Sequence, residues 1–513
     1  MGTHNPHGSS SMRIAKNSGL LYVRQLFVLF IALFTSRLTL QILGETDFGI
    51  YAAVGGVTAM LSVFTGSMAG STQRFMTFEL GKGNGESFRK VYSTAFLIHI
   101  AIALILIVTA ETVGLWFLYN KMSLPTERLD VAFWVFQLSL LTCVLNIINV
   151  PNSASIIAHE DMGMFAFLAI ISAVLKLICV YMLSVLPWDN LILYAIFLAY
   201  IQIQDLSICA IICHRKYPEA RFSRFIDGIL INRMVKFAGW TIIANLSTMG
   251  FVQGVNLLLN MFFGPILNAA YTVAMQAYSG IRSFCSSFQL ASNPQIVKLY
   301  SLGDISSMHR LVMTTCKISF FLIMFLSLPF MVNVDFILKL WLDVVPNHTR
   351  SFFLLLLLLA YLDVFAYPLD VAAQATGQIR QYNIYTSLVI ISVLPATYIA
   401  FRLGAIPETV YMMAIGMSGI GLMIRLFCLS KLINLSKRQF IIKVLIRSFV
   451  VFLLSLSVGF GVKQMIPDNL IGVVGSFIIC FSASAIIIFT VGLTRDERLF
   501  VSEALIKIRD KFL

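Results

Sequence analysis

Fourteen long apolar segments constrain this 513-residue chain more than any other feature. A transmembrane helix needs about 20 apolar residues. The runs lie at 18–43, 48–72, 91–118, 129–157, 163–185, 190–212, 238–262, 266–292, 311–334, 351–373, 382–403, 409–430, 441–463 and 469–492. They are continuous, whereas β-barrel strands alternate apolar and polar residues. With 58% hydrophobic and only 12% charged residues, the chain also lacks the polar surface of a soluble protein. We therefore predict an all-α integral membrane protein with about 14 transmembrane helices.

The positive charges fall mainly on one side of the predicted membrane. If the N-terminus is cytoplasmic, 22 of the 37 Lys and Arg residues lie in cytoplasmic segments and 6 lie in outer loops. Because positively charged loops stay in the cytoplasm, this asymmetry predicts that both termini are cytoplasmic. The formal net charge of +13 is thus a topology signal and indicates no nucleic-acid partner.

The two ends of the chain and its cysteines suggest no catalytic or metal chemistry. Residues 1–12 are polar and have the composition of a leader or tag before a second start at Met12. Residues 493–513 predict a cytoplasmic amphipathic tail with an apolar face. That face comprises Val501, Leu505, Ile508 and Phe512. All eight cysteines fall in predicted spans, as small buried hydrophobic residues would, and we expect no metal or other cofactor.

The chain repeats itself at an offset near 220 residues. The matches are Gly44-x6-Tyr51 with Gly264-x6-Tyr271, Leu80-Gly81 with Leu302-Gly303, Trp116 with Trp341, and Pro151-x6-Ala158 with Pro368-x6-Ala375. Six spans in each half make the repeats parallel, so we predict two six-helix lobes related by a pseudo-two-fold axis along the membrane normal. The alternative is chance matching in a biased composition.

This repeat sets the predicted domain boundaries. The N-terminal lobe comprises 13–213 (spans 1–6), a cytoplasmic basic linker 214–237, and the C-terminal lobe 238–430 (spans 7–12). Two further helices follow at 431–492, before the tail.

Ionisable residues within spans are functional candidates, because each costs about 2.5–3.5 kcal/mol to insert. Arg37, Lys176 and Arg282 lie deep, and Arg24 and Arg74 lie within about two turns of the inner face. Four other bases near inner ends are interpreted as snorkelling. These are Lys317, Arg425, Lys443 and Arg447.

The acids in the spans are the candidates for ion coupling. They are Asp205, Asp363, Asp370 and Glu111. For Asp205 an alternative is a structural ion pair with Lys176 on the preceding helix.

Polar stripes at helical spacing indicate a cavity wall. Tyr271, Tyr278, Arg282 and Gln289 share one face of span 8, and Asn245, Gln253, Asn256 and Asn260 share an arc of span 7. Such stripes can also be hydrogen-bonding contacts between helices. With arginine present, a cavity is the better interpretation: guanidinium binds phosphate in bidentate fashion, and amides and tyrosines suit sugar hydroxyls. We therefore predict an anionic, hydroxyl-rich cargo.

Several motifs resemble those of the polysaccharide repeat-unit flippases, within the multidrug/oligosaccharidyl-lipid/polysaccharide exporter (MOP) superfamily. They include Arg13-Ile-Ala-Lys-Asn17, Thr35-Ser-Arg37 to Leu43-Gly-Glu-Thr-Asp-Phe-Gly-Ile-Tyr51, Ser71-Thr-Gln-Arg-Phe75, Phe78-Glu-Leu-Gly81, Asn293-Pro-Gln-Ile-Val-Lys298 and Ala372-Ala-Gln-Ala-Thr-Gly377. The resemblance covers nearly the whole chain and is stronger in its first 400 residues.

The resemblance implies a flippase in the bacterial inner membrane. Its cargo would be an undecaprenyl-pyrophosphate-linked oligosaccharide, moved to the periplasmic leaflet by alternating access and coupled to a proton or sodium ion. It also implies a cationic lumen, in which Arg24 and Arg37 match the family's first-helix arginines and Gln73-Arg74 matches its second-helix Gln-Arg pair. Membrane lipids and the polysaccharide polymerase machinery would be its other partners.

Two other function classes stay open at this point. A multidrug or small-solute cation antiporter could use the same scaffold. An integral-membrane enzyme of envelope assembly is less favoured, because no phosphate-binding loop and no soluble catalytic domain is apparent. We therefore expect that the protein is not an enzyme.

Overall fold

The computed structural model describes residues 6–120, 126–223, 227–341, 347–467, 469–495 and 497–498. In this part of the chain every regular element is helical, and eleven helices are long and apolar enough to cross a membrane. The other three predicted spans coincide with the two halves of helix α1 and with helix α8. The prediction of an all-α, multi-span membrane protein is confirmed.

The chain divides into two compact units, one formed by 17–245 and the other by 246–513 together with 1–16. The helices from the N-terminus to the start of the second unit are α1 Pro6–Gly81, α2 Gly85–Thr109, α3 Leu115–Asn120, α4 Leu129–Ala158, α5 Met162–Leu183, α6 Asn190–Lys216 and α7 Gly228–Phe263. A π-helical segment, Ala110–Gly114, joins α2 to α3, so that residues Gly85–Asn120 form one continuous apolar helical segment.

The second unit continues with ten helices in the described residues. They are α8 Pro265–Ser301, α9 Ile305–Val332, α10 Val334–Trp341, α11 Thr349–Asp363, α12 Ala366–Thr376, α13 Arg380–Arg402, α14 Thr409–Leu432, α15 Lys437–Phe440, α16 Arg447–Met465 and α17 Leu470–Ile487. The predicted span 351–373 thus consists of two short helices, α11 and α12, which still form one apolar segment.

Two glycines interrupt the helices at matching places in the two units. Gly44 divides α1 with φ 74° and ψ 173°, and Gly264 separates α7 from α8 with φ 83° and ψ −178°. This backbone conformation is open almost only to glycine. The sequence match of Gly44-x6-Tyr51 with Gly264-x6-Tyr271 therefore corresponds to a repeated helix break.

The second match is shifted by two residues in the structure. Gly303 has φ 77°, and its counterpart with a positive φ is Gly83, at 70°, rather than Gly81. The next helix starts alike in both units: Asn84 accepts a hydrogen bond from the Ser87 amide, and Asp304 accepts one from the Ser307 amide, each at 3.0 Å. The capping side chain satisfies an amide that has no partner within the helix. The two units are therefore aligned by the turn that contains Gly83 or Gly303, and not by the Leu-Gly pairs.

The C-terminal segment is fastened to the second unit by a buried ion pair. Lys317 Nζ lies 2.5 Å from Glu497 Oε2, and only 5% of the Lys317 side chain is exposed. Burial raises the pKa of Glu497, but the hydrogen bonds from Lys317 and Thr494 and the charge of Lys317 together outweigh this and leave the pKa lowered. The interpretation of Lys317 as a snorkelling residue is thus wrong, because its ammonium group is paired inside the protein. The predicted apolar tail face at 501–512 lies outside the described residues.

Candidate functional site

Two arginines and two aspartates line one cavity inside the second unit. The cavity has a volume of about 200 Å³ and lies among α7, α8, α11, α12, α13 and α14. Its charged lining residues are Arg282, Asp363, Asp370 and Arg425. Three of these four were predicted as site residues from their depth in apolar spans.

The two aspartates are held by two residues of α14 with the same spacing. Ser418 donates a hydrogen bond to Asp363 at 2.6 Å, and Arg425 Nε lies 3.1 Å from Asp370 Oδ1. Ser418 and Arg425 are seven residues apart, which is about two turns of α14, and the two aspartates that they contact are also seven residues apart along the chain. The equal spacing in the two chain segments is a sequence signal that pairs α14 with α11 and α12.

The interpretation of Arg425 as a snorkelling residue is wrong. Its side chain is 12% exposed and is ion-paired with Asp370, which also accepts a hydrogen bond from the Tyr382 hydroxyl at 2.5 Å. Tyr382 of α13 and Arg425 of α14 both contact the Asp370 carboxylate. The Arg425 side chain therefore points into the protein and does not extend to the membrane surface. Asp370 is therefore already neutralised within the protein.

Arg282 is the cavity cation without such a partner. It interacts electrostatically with Tyr278 and with Asp363. Among the described residues, no carboxylate lies within ion-pair distance of its guanidinium, and it remains on the cavity wall. The geometry leaves guanidinium hydrogen-bond donors for an anionic group.

The other two residues of the predicted span 8 stripe have packing roles. Tyr271 is buried against Phe352 and Tyr411, with ring centroids 6.4 Å and 6.1 Å away. Gln289 is also buried, and its Nε2 donates to the Val364 carbonyl at 2.9 Å, where the chain leaves α11. Neither residue lines the cavity, because both side chains are buried against neighbouring segments of the chain.

The predicted residues of span 7 are near the cavity along the chain but outside its lining. Thr248 and Phe251 of α7 line it, whereas Gln253 is exposed and Asn256 is partly buried. The Asn256 Oδ1 atom is inaccessible and has no hydrogen-bond partner in the described residues. An unsatisfied buried acceptor is costly, so Asn256 stays a candidate for binding a hydroxyl or amide donor.

In the first unit, two predicted arginines contact aromatic rings. The guanidinium of Arg24 lies 4.9 Å from the centroid of Phe165. Arg74 is buried and lies over three rings, those of Phe75, Phe78 and Phe237. Cation–π contacts of this kind stabilise a desolvated cation without neutralising it. The side chain of Arg37, the third arginine predicted here, lies outside the described residues.

Asp205 belongs to a hydrogen-bonded chain rather than an ion pair. Asn149 donates to Asp205 at 2.9 Å, Asn152 donates to Asn149 at 3.3 Å, and Tyr92 donates to Asn152 at 2.7 Å. In the part of the chain that the structure describes, Lys176 forms no ion pair with it. The alternative of a Lys176–Asp205 pair is therefore wrong, because Asp205 faces α4 instead of α5.

Glu111, the fourth predicted acid, is exposed on the π-helical segment after α2. It accepts a hydrogen bond from Gln137 at 3.3 Å and does not line the cavity of Arg282 and Arg425. Its position on an exposed surface separates it from the cavity acids Asp363 and Asp370.

Comparison with known proteins gives structural but no sequence relatives. No family model and no curated protein matches the chain. Among solved structures, the crystal structure of a MATE point mutant superposes with a TM-score of 0.71 at 12% identity, over 82% of this chain and 97% of that one. An outward-facing multidrug resistance MATE transporter of the MOP superfamily gives 0.70 at 11% identity, over 82% and 96%.

A third structure is a MOP superfamily transporter from Pyrococcus furiosus, described by a binding pocket of reversed polarity that suggests a different function. Its TM-score is 0.70 at 10% identity, over 82% of this chain and 96% of that one. At such low identity the likeness establishes the fold, which is that of MATE transporters of the MOP superfamily.

Proposed function

We propose that this chain is a flippase that moves an undecaprenyl-pyrophosphate-linked oligosaccharide from the cytoplasmic to the periplasmic leaflet of the bacterial inner membrane. The observation that carries the proposal is Arg282, a cation on the wall of an intramembrane cavity with no ion-paired carboxylate among the described residues. Charge-assisted hydrogen bonds from guanidinium to phosphate are strong and bidentate. The MATE-type fold supports transport by alternating access, and the flippase-like motifs support the choice of cargo.

The cavity is suited to the phosphate part of such a cargo. Its volume of about 200 Å³ is below the range of about 300–1,000 Å³ that is usual for whole ligands. We propose that Arg282 holds the pyrophosphate, and that Tyr278, about one helical turn earlier in α8, orients the guanidinium. The sugars would then lie outside this cavity, where Gln253 and Asn256 offer amide groups.

Translocation by the purified protein tests this assignment. In proteoliposomes with a fluorescent pyrophosphate-linked oligosaccharide, Arg282→Ala should slow translocation by about ten- to a hundredfold, since a hydrogen bond to a charged group contributes about 1.5–3 kcal/mol. The matched control is Arg402→Ala, which removes an exposed arginine bound to Tyr398. Equal rates for the wild type, Arg282→Ala and Arg282→Gln would overturn the role of Arg282.

Asp363 is our proposed ion-coupling carboxylate. Asp370 already has Arg425 as its cation, whereas Asp363 accepts a hydrogen bond from the neutral Ser418 hydroxyl at 2.6 Å. It also interacts with Arg282, so that proton or sodium binding to Asp363 would change the affinity of Arg282 for phosphate. This link would couple the ion gradient to the cargo.

Substitution of the acids tests the coupling. Asp363→Asn should make translocation independent of an imposed proton or sodium gradient, whereas Asp205→Asn and Glu111→Gln should leave the gradient dependence unchanged. If Asp363→Asn responds to the gradient as the wild type does, Asp363 is not the coupling residue.

A multidrug or small-solute cation antiporter is the second candidate. It is favoured by the two aspartates of the cavity and by the multidrug transporter among the structural neighbours. Organic cations would then stimulate proton release from proteoliposomes, and the lipid-linked oligosaccharide would not be moved. That combination of results would replace the flippase proposal.

A further inference from the structure

We infer that the first unit carries a binding site for an anionic phospholipid of the cytoplasmic leaflet. The site is a cavity of about 600 Å³ among α2, α4, α6 and the segment that follows α6. It is separate from the cavity of Arg282, and the inference does not depend on the cargo proposed above.

One end of this cavity is cationic. Arg215 and His214 at the end of α6 and Arg221 in the following segment line it. In the described residues neither Arg215 nor Arg221 has an ion-paired carboxylate. Basic pockets between transmembrane helices on the cytoplasmic side are typical sites for anionic lipid headgroups.

The nearby acids cannot neutralise these arginines, because they are engaged elsewhere. Asp161 accepts hydrogen bonds from Lys216 and from Tyr217, the latter at 2.9 Å. Glu219 lies 2.9 Å from His159. Burial raises the pKa of Asp161, but the hydrogen bonds from Lys216, Tyr217 and the Met164 amide and the charge of Lys216 together outweigh it and leave the pKa lowered, as for a carboxylate that stays ionised in its own pair.

The segment that carries Arg221 is held in place. The Ser223 amide donates to the Ser93 hydroxyl at 2.8 Å, and Arg89 Nε donates to the Arg221 carbonyl at 3.3 Å. The Tyr217 ring stacks on His159 with centroids 3.9 Å apart. The segment 217–223 is thus held at both of its ends. Because it is already ordered, binding of a headgroup would not carry the entropic cost of ordering it.

The other end of the cavity is apolar, which distinguishes a lipid from a free phosphate. Leu206, Ala210 and Ile211 of α6 continue the lining away from Arg215. Leu206 and Arg215 are nine positions apart, which is about 13.5 Å along a helix. Phe96 and Phe222 also line the cavity and pack on each other, with ring centroids 6.0 Å apart. A phosphate would meet the arginines while an acyl chain follows the apolar wall.

Lipid binding to the full-length protein tests the inference. We expect native mass spectrometry of detergent-purified protein to show more bound phosphatidylglycerol than phosphatidylcholine with the same acyl chains. The double variant Arg215→Ala/Arg221→Ala should lower the apparent affinity for phosphatidylglycerol by about tenfold or more, given the usual gain of about fivefold for each basic residue at an anionic surface. Ala210→Phe, which fills the apolar end without changing charge, should also lower it.

The matched control is Arg233→Ala/Lys236→Ala, which removes two exposed charges from α7 outside this cavity. It should bind phosphatidylglycerol as the wild type does, and thermal unfolding should show that all variants are folded. Equal binding of the two lipids, or an equal loss in the control, would overturn the inference. Competition by inorganic phosphate as strong as by the lipid would also overturn it, because the apolar end would then contribute nothing.

Discussion

At the scale of single residues, partners rather than depth distinguish the charged groups of this protein. Arg282 and Arg425 both line the same cavity, but Arg425 is ion-paired with Asp370 and Arg282 is not. Lys317 likewise looks like a snorkelling residue in the sequence and is buried against Glu497 in the structure. The free-energy cost of burying each charge is offset by an oppositely charged partner. In both cases that partner lies far away along the chain.

Removal of Arg425 should destabilise the second unit. Arg425→Ala leaves the Asp370 carboxylate without its cation, a loss of about 3–5 kcal/mol for fully buried pairs. We expect less than this, because 32% of the Asp370 side chain is exposed. Thermal unfolding in detergent measures the effect.

The double variant provides the control for this prediction. Arg425→Ala/Asp370→Asn should unfold at a higher temperature than Arg425→Ala alone, since no unpaired charge remains. If Arg425→Ala is as stable as Arg402→Ala, an exposed-site control, then the ion pair contributes nothing to stability.

At the scale of helices, a break between two apolar helices recurs in both units with the same backbone geometry. Gly44 and Gly264 are in a conformation that other residues avoid. Seven residues after each glycine, a tyrosine packs on a tyrosine of another helix: Tyr51 on Tyr194 and Tyr271 on Tyr411. The repeated break therefore fixes the direction of a helix and, with it, one aromatic contact.

Substitution of the glycine should show that its conformation matters and not its size. No atom lies within 4 Å of a methyl group added at Gly264, yet Gly264→Ala should cost about 1–3 kcal/mol because its φ is positive. Gly280 in the middle of α8 also has free space around it, with a helical φ. Gly280→Ala should therefore be neutral or stabilise by about 0.5–1 kcal/mol.

The comparison of the two variants is the critical measurement. Thermal unfolding temperatures of Gly264→Ala and Gly280→Ala should shift in opposite directions, or at least differ clearly. Equal shifts would mean that the break at Gly264 does not depend on glycine.

At the scale of the whole molecule, the distribution of charge predicts how the chain lies in the membrane. Cytoplasmic connections would hold 22 of the 37 basic residues, and the lipid site inferred at Arg215 and Arg221 requires the same orientation. The bias of Lys and Arg acts during insertion. It is therefore a property of the connections and not of the packed helices.

Cysteine labelling tests this orientation. In a variant with all eight native cysteines replaced by alanine, Asn347→Cys should react with a membrane-impermeant maleimide on intact cells. Gln439→Cys should react only after the cells are opened. Both residues are exposed in the structure, so access to the reagent depends on the side of the membrane. The reverse pattern would contradict the prediction that both termini are cytoplasmic.

The sequence by itself determined the all-α membrane class, since the length and continuity of apolar runs are local properties. It also located the helix breaks at Gly44 and Gly264, because glycine is required by the backbone there. Three of the four charged cavity residues followed from the cost of burying charge. The sequence match pairs Gly81 with Gly303, whereas the structural counterpart of Gly303 is Gly83. The sequence alone does not show the hydrogen bonds that define this turn.

Only the tertiary structure decided which charges are paired. Arg425 with Asp370, Lys317 with Glu497, and Asn149 with Asp205 each join residues more than 50 positions apart. Helical periodicity states which face of a helix a residue occupies, but not which helix that face meets. The packing of α14 against α11 and α12 leaves Arg282 as the cavity cation without an ion-paired partner in the described residues, and this is why the proposed phosphate contact rests on Arg282.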